Sequence, residues 1–201
     1  MNDIITQIAQ YVLLEDFIKL TKINNNVEKI LFDNKIYCCV TMNDIKKYNI
    51  PILSITNIEY KEDNYDELEQ LTNLEILDLY SSRITQLPDT LINLKKLYMS
   101  FAQNITHLPS TFINLRVLNC YYTKINKIPE TYIRLEHLII DKTLVHYIPE
   151  SLINLKSLSC SKCNIDKIPI TLVNLRELNA SDSNIKTIPE AISKNLDFCD
   201  F

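Results

Sequence analysis

Apolar residues recur with a fixed spacing along the chain from residue 71 onward. One leucine column comprises Leu74, Leu94, Leu115, Leu135, Leu155 and Leu175, and a second follows at Leu77, Leu97, Leu118, Leu138, Leu158 and Leu178. A third apolar column comprises Leu79, Met99, Cys120, Ile140, Cys160 and Ala180. Apolar residues two positions apart lie on the same side of a strand, so each L-x-L unit predicts one short strand with a buried face.

Prolines mark the same period. They lie at 88, 109, 129, 149, 169 and 189, separated by 21, 20, 20, 20 and 20 residues. About eleven residues remain in each unit for the return path, too few for a full α-helix, and proline fixes φ, so we expect extended backbone or short 3₁₀ turns there. Because no unit can bury its apolar side alone, the units must stack.

Residues 71–201 resemble leucine-rich repeats, whose pattern L-x-x-L-x-L-x-x-N-x-L is followed by segments such as LINLKSLSCSKCNI. The resemblance implies an α/β solenoid with a curved parallel β-sheet and about six 20-residue repeats. It also implies a non-enzymatic protein-protein interaction module that binds a protein ligand on its concave face.

In a leucine-rich repeat, the residues between and beside the strand leucines face the concave side, because side chains alternate along a strand. The first four repeats are rich in aromatic and apolar residues at these positions, while the last two carry mostly serine and asparagine. Aromatic side chains are enriched at binding hot spots. The predicted partner-binding residues are Ile76, Asp78, Tyr80, Tyr98, Phe101, Val117, Tyr121, Tyr122, His137 and Ile139. The alternative is that the tyrosines only pack on one another along the sheet.

Residues 1–34 follow a different pattern, with apolar residues at helical spacing that predict two or three short helices. The stretch DIITQIAQYVLLEDFIKLTKINNNVEKILF resembles an F-box. The resemblance implies binding to the Skp-type adaptor of a cullin ubiquitin ligase, with the repeats choosing the substrate. The residues to which it assigns adaptor binding are Ile8, Tyr11, Val12, Asp16, Phe17 and Leu20. The alternative is a helical N-terminal cap over the apolar end of the solenoid.

Residues 35–70 form a transition. Their β-branched runs at 36–41 and 52–58 predict degenerate first repeats, and KEDNYDELEQL predicts one helix before the regular units. The predicted organisation is therefore 1–34, 35–70 and 71–201. At the other end we expect the register to break after Ile192, because Asn195 falls where leucine is expected.

Two recurring polar positions are predicted to shape the turns. Asparagine tolerates left-handed backbone and can bond local backbone, so the asparagine column is predicted to make the corner into each strand. Its members are Asn73, Asn93, Asn114, Asn154 and Asn174. A second column is predicted to bond backbone inside the turn after each strand, and comprises Ser82, Gln103, Thr123, Thr143, Cys163 and Ser183.

Cys160 and Cys163 have the C-x-x-C spacing that redox pairs and zinc knuckles use. Cys160 falls in an apolar column and Cys163 in the turn column, which favours structural roles, since buried free cysteine behaves as a small hydrophobe. The alternative function, from a different class, is a redox or metal-binding protein that uses this pair.

Composition excludes several classes of enzyme and partner. The chain has no glycine, which phosphate-binding loops, dinucleotide fingerprints and hydrolase nucleophile elbows require. Its 21 Lys and Arg against 25 Asp and Glu give a net charge of -4, without the basic excess expected for nucleic-acid binding. No apolar run approaches the ~18 residues that span a bilayer, and no signal peptide is recognisable. We therefore expect a cytoplasmic protein with no cofactor, no metal, no nucleic acid and no membrane contact.

The bias toward Ile, Asn, Lys and Tyr resembles that of proteins from AT-rich genomes. Among these are giant DNA viruses of amoebae, whose proteomes contain F-box and leucine-rich-repeat proteins. The resemblance implies a viral protein in the host cell cytoplasm.

Overall fold

A stack of short parallel strands forms the framework of the protein. The computed structural model describes residues 57–60 and 65–201. Within them, eight strands form one sheet in the order of the sequence, and every neighbouring pair is parallel. The strands are β1 Asn57–Glu59, β2 Ile76–Asp78, β3 Lys96–Tyr98, β4 Val117–Asn119, β5 His137–Ile139, β6 Ser157–Ser159, β7 Glu177–Asn179 and β8 Phe198–Asp200. The predicted parallel sheet with one strand per repeat is confirmed.

The pairing register explains the apolar columns. Leu77 pairs with Leu97, and the same alignment continues through Leu178, so the central leucines of β2 to β7 form one row. Each of these leucines is buried, whereas the residues on either side of it remain partly or fully exposed. Burying one leucine side chain stabilises the fold by about 1.5–3 kcal/mol. The stack therefore holds together through contacts between neighbouring coils, as the repeat pattern predicts.

Two short helices flank the regular coils. Helix α1, Tyr65–Glu69, precedes β2 and buries Leu68, in the segment where a helix was predicted. Helix α2, Glu190–Ser193, precedes β8 and buries Ile192. Between them, residues 70–189 are all described and contain turns and extended backbone but no helix, which confirms the prediction for the return path.

The turn after each of the strands β2 to β7 contains a residue in the left-handed region. These residues are Ser81, Phe101, Tyr122, Lys142, Lys162 and Asp182, with φ between 53° and 63°. The prediction that the asparagine column makes the left-handed corner is wrong, because none of its members has positive φ. In the six coils from β2 to β7 this position is left-handed every time, although the chain has no glycine to place there. A non-glycine residue in this conformation costs about 1–2 kcal/mol.

The asparagines instead act as donors between coils. The Nδ2 of Asn93, Asn114, Asn154 and Asn174 donates to a backbone carbonyl of the preceding coil at 2.8–3.0 Å. The acceptors are the carbonyls of Thr72, Ile92, Ile133 and Ile153. Each of these four asparagines therefore ties its coil to the one before it.

Two details of register differ from the prediction. Ala102, not Gln103, occupies the turn column, since its amide bonds the carbonyl of Met99 as that of Ser82 bonds Leu79. At the C-terminal end the register does not break. The last coil is one residue longer than the period of 20, and Asn195 takes the asparagine position, where its side chain donates to the carbonyl of Val173. Strand β8 then pairs in register with β7.

Strand β1 extends the sheet before the regular units by pairing with β2. The predicted helical cap, the F-box-like segment and the strand at 36–41 lie outside the described residues. In the described part of the chain, no helix is both long and apolar enough to cross a membrane.

Candidate functional site

No other element of the described chain packs over one of the two faces of the sheet. This open face carries the first and third residues of the strands β2 to β7. One outer row contains Ile76, Val117 and His137, and a second contains Asp78, Tyr98 and Ile139. His137 is exposed and the other five are partly buried. The structure therefore places all six of these predicted residues on the same face.

The other four predicted residues meet at the edge of this face where the strands end. The Phe101 ring lies 5.6 Å from Tyr80, 5.3 Å from Tyr121 and 5.4 Å from Tyr122, measured between ring centroids. We call Tyr80, Phe101, Tyr121 and Tyr122 the aromatic cluster. No ring pair joins Tyr98 to this cluster in the described residues.

Backbone conformation places the cluster. Phe101 and Tyr122 are left-handed residues, with φ of 63° and 53°, in the turns after β3 and β4. Their amides donate to the carbonyls of Tyr121 and Asp141 in the next coil, both at 2.9 Å. The turns are thus hydrogen-bonded from coil to coil, and the rings project from fixed backbone. Tyr80, Phe101 and Tyr122 remain 54%, 38% and 43% exposed.

Lys142 joins the cluster from the next coil. Its Nζ donates to the Tyr121 hydroxyl at 3.0 Å and lies 5.3 Å and 5.8 Å from the Tyr121 and Tyr122 ring centroids. The hydrogen bond to Tyr121 raises the pKa of the Lys142 ammonium above its ordinary value. Sequence reasoning missed this lysine, although it occupies the same repeat position as Phe101 and Tyr122.

The open face changes character in the later coils. Asp141 is only 7% exposed, and its Oδ1 accepts from the Ser159 hydroxyl at 2.7 Å and the Ser161 amide at 2.8 Å. Asn179 Oδ1 accepts from the Ser161 hydroxyl at 2.7 Å. These polar groups satisfy one another, so this half offers fewer free groups to a ligand than the aromatic half.

The C-x-x-C pair is built into the core. Cys160 has no exposed surface, and burial raises the pKa of its thiol to about 12. Cys163 is 5% exposed, and its Sγ donates to the carbonyl of Ile140 at 2.9 Å. Both are free thiols, and the described residues contain no group of three or more His, Cys, Asp or Glu placed to hold a metal ion. The redox or metal-binding alternative gains no support from this geometry.

The turn column contributes the backbone bonds expected of it. Thr123 Oγ1 donates to the carbonyl of Cys120 at 2.8 Å, and Thr143 Oγ1 donates to that of Ile140 at 2.6 Å. At Ser82 the hydroxyl is the acceptor and not the donor, since it accepts from the Ile84 amide at 3.2 Å. Cys163 is therefore one member of a structural column.

Comparison with known proteins agrees with this architecture. Residues 154–175 and 174–195 match the family described as Leucine Rich Repeat. The coils at residues 154–195 are therefore similar in sequence to leucine-rich repeats. None of the curated proteins matches the chain in sequence.

Solved structures show the same fold. A leucine-rich-repeat protein of Leptospira interrogans superposes with a TM-score of 0.60 at 24% identity, covering 73% of this chain and 44% of its own. Internalin C2 of Listeria monocytogenes superposes with a TM-score of 0.63 at 21% identity, covering 79% of this chain and 74% of its own. The plant peptide hormone receptor RGFR1, solved in complex with RGF2, superposes with a TM-score of 0.60 at 22% identity, covering 72% of this chain and 27% of the receptor chain. This chain spans less than half the length of the first and third. Leucine-rich repeats generally form protein-interaction scaffolds and are typically not enzymes.

Proposed function

We propose that the chain is a non-enzymatic protein-binding scaffold whose protein ligand docks on the open face against the aromatic cluster. The observation that carries this is the meeting of four aromatic rings from three consecutive coils on one surface, three of them at least 38% exposed. Aromatic side chains provide large contact areas for few rotatable bonds, and they dominate binding hot spots.

Preorganisation favours binding at this place. The rings stand on turns whose amides are bonded to the next coil, so little backbone freedom remains to be lost when a ligand docks. Ile76, Val117 and Ile139 extend the contact surface along the strands. The exposed ammonium of Lys142 would favour a ligand that carries a carboxylate beside its apolar anchor.

The neighbouring structures give general support. RGFR1, whose fold resembles that of this chain, was solved in complex with RGF2. A protein or peptide ligand is therefore within the range of what the fold accommodates.

The test uses affinity capture with the full-length chain as bait. The cluster variant Phe101→Ser with Tyr122→Lys copies residues that other coils carry at the same left-handed position, Ser81 and Lys142, so the turns should be preserved. The control is Ile170→Ser, which removes a side chain that is 65% exposed in the turn after Pro169.

We expect a partner that is retained by the wild-type chain and the Ile170 control but lost by the cluster variant. Removing two hot-spot aromatics should weaken binding by at least about 2 kcal/mol, or roughly thirtyfold. A partner that binds the cluster variant as tightly as the wild-type chain would place the interface elsewhere.

We further propose that residues 1–34 bind a Skp-type adaptor, so that the open face presents a substrate to a ubiquitin ligase in the cytoplasm, of the host cell if the protein is viral. The support is the F-box resemblance of this segment, whose proposed adaptor-binding residues lie outside the described chain. Co-purification with a Skp-type protein should disappear on deletion of 1–34 and in Phe17→Ser with Leu20→Ser, and survive Lys19→Ser. Adaptor binding that persists after the deletion would refute this role.

A further inference from the structure

A row of exposed aliphatic residues lies on the turns that lead into the strands, at the opposite edge of the sheet from the aromatic cluster. Each row member directly precedes the asparagine position of its coil. We call this row the aliphatic ridge, and it comprises Ile92, Ile113, Ile133, Ile153 and Val173, each 46% to 51% exposed. Five consecutive coils thus expose a large aliphatic residue at the same position, whereas scattered single residues are the norm on protein surfaces.

The ridge is held in place by the asparagine column. The carbonyls of Ile92, Ile133, Ile153 and Val173 each accept an Nδ2 hydrogen bond from an asparagine of the following coil, at 2.8–3.2 Å. The backbone at these four ridge residues is therefore fixed from coil to coil, and because neighbouring strands are about 4.8 Å apart, we expect a similar spacing between the ridge side chains.

A basic groove runs beside the ridge. It has a volume of about 510 Å³ and is lined by four cationic side chains, Arg116, Arg134, Lys156 and Arg176, around a single carboxylate, Glu136. Asn154 and Asn174 complete the lining, and each directly follows a ridge residue in the chain, so the groove borders the ridge.

The groove has an excess of positive charge. Glu136 already accepts from Arg116 at 2.7 Å and from Lys156 at 2.6 Å, and these contacts hold the pKa of its carboxyl below the ordinary value. Arg134 Nη1 donates to the side-chain oxygen of Asn114, and Arg176 Nη1 donates to the backbone carbonyls of Asn195 and Leu175 at 3.3 Å and 3.4 Å. Within the described residues neither arginine has a carboxylate within ion-pair distance.

We propose that the ridge and groove form a second binding site, which takes an acidic amphipathic α-helix of a protein partner lying along the solenoid axis. The apolar side of the helix would pack on the ridge, and its flanking carboxylates would meet Arg134 and Arg176. Successive turns of a helix are 5.4 Å apart, close to the spacing of the ridge, whereas same-side residues of an extended strand are about 6.6–6.8 Å apart. The five ridge residues span about 19 Å, which a helix of about 13 residues covers.

Charge favours this occupant over an anionic lipid surface. The chain as a whole carries a net charge of -4, so an extended anionic surface repels most of the molecule, while a single helix samples only the basic edge. The site does not involve the aromatic cluster, so it can be occupied independently of the proposed open-face ligand.

The test uses a synthetic peptide of about 20 residues with leucines on one helical side and glutamates flanking them, long enough for the span of the ridge. Its matched control has lysines in place of the glutamates. Fluorescence anisotropy with the full chain measures both dissociation constants at low and physiological salt. We expect the glutamate peptide to bind at low salt and to bind at least tenfold more weakly at physiological salt. We expect the lysine peptide not to bind at either salt concentration.

Variants of the chain locate the contact. Arg134→Glu with Arg176→Glu should weaken binding of the glutamate peptide more than tenfold, while Lys127→Glu with Lys186→Glu, the same charge change at exposed positions away from the groove, should leave it unchanged. Ile133→Thr with Ile153→Thr copies Thr72, which holds the ridge position in the first regular coil, and should also weaken binding about tenfold. Unchanged thermal unfolding confirms that each variant is folded.

Four outcomes would overturn the proposal. These are no binding of the glutamate peptide, equal binding of the lysine peptide, full binding by the folded Arg134 and Arg176 variant, or binding of phosphatidylserine-containing vesicles without binding of the peptide. The aromatic-cluster variant should bind the peptide like the wild-type chain, so failure here is distinguishable from failure of the open-face proposal.

Discussion

The ring of Phe101 meets the ring of Tyr121 edge-on, with centroids 5.3 Å apart and planes inclined by 67°, although the two residues belong to consecutive coils. The same Phe101 ring also contacts Tyr80 and Tyr122, so it is the centre of the aromatic cluster. Edge-to-face pairs contribute about 0.5–1.5 kcal/mol beyond the burial of their area. The cluster should therefore stabilise the stack as well as provide a docking surface.

A double-mutant cycle tests this contribution. Phe101→Ser and Tyr121→Ser both introduce the serine that other coils carry at these positions, and their combined effect on the free energy of unfolding should be smaller than the sum by about 0.5–1 kcal/mol. Urea denaturation measures all four proteins. The pair Phe101→Ser with Ile170→Ser serves as control and should be additive, and additivity at Phe101 and Tyr121 as well would contradict the contact.

The left-handed turns make a prediction about Lys162, whose φ is 57°. Lys162→Val should lower the free energy of unfolding by about 1–2 kcal/mol, because a β-branched residue tolerates this region poorly, while Lys162→Gly should lower it not at all or raise it by up to about 1 kcal/mol. Lys124, which does not have positive φ, is the control, and glycine there should destabilise by about 0.5–1 kcal/mol. A Val variant at 162 as stable as the Gly variant would rule out the left-handed turn.

The asparagine column is tested at Asn154. Its Nδ2 donates to the Ile133 carbonyl at 2.8 Å, so Asn154→Ala should lower the free energy of unfolding by about 0.5–1.5 kcal/mol. Asn154→Gly should be at least as destabilising, since the position is not left-handed and glycine adds only backbone freedom. If the Gly variant proves more stable than the Ala variant, the column serves as a corner and not as a donor.

Cys160 makes a prediction about pH. Burial raises the pKa of its thiol from 9.0 to about 12, so the folded chain holds the proton more tightly than the unfolded chain. This stabilisation is complete below pH 9 and is lost as pH rises toward the folded pKa, because the unfolded chain ionises first. Between pH 8 and pH 10, wild-type stability should fall by about 1 kcal/mol more than that of Cys160→Ala, which copies Ala180 in the same column.

Thiol labelling provides a second readout for the same residue. The buried Cys160 should react with a thiol reagent only after unfolding, whereas Cys199, which is exposed, should react in the folded chain. Peptide mapping by mass spectrometry assigns the label. Rapid labelling of Cys160 in the folded chain would reopen the redox alternative.

Much of the framework was predictable because it depends on periodicity alone. The row from Leu77 to Leu178 is buried as predicted, since a one-residue slip would turn every leucine of a strand to the open side. Errors arose where one extra residue had to be placed. Gln103 and Asn195 were assigned from fixed spacing, but the backbone bonds show that Ala102 holds the turn position and that β8 resumes the register.

The aromatic residues of the candidate site could be named from the sequence, but Lys142 and the arrangement of the side chains could not. Tyr80, Phe101, Tyr121 and Tyr122 could be named from their positions beside the strands. The structure shows that Phe101 is the centre of the cluster, that Tyr98 stands apart from it and that Lys142 joins it. These relationships depend on side-chain directions set by left-handed turns, and a sequence without glycine gives no sign of where such turns lie.

The amino-acid sequence by itself determined the strand pairing, the buried columns and the structural placement of Cys160. The reason is that apolar residues repeated about every twenty positions are buried together only when successive coils stack in register. Only the tertiary structure decided which side chains of different coils meet: the aromatic cluster at one edge of the sheet, and the aliphatic ridge with its basic groove at the other. These contacts join residues a full coil apart, so their geometry follows from how the turns aim each side chain and not from the order of residues along the chain.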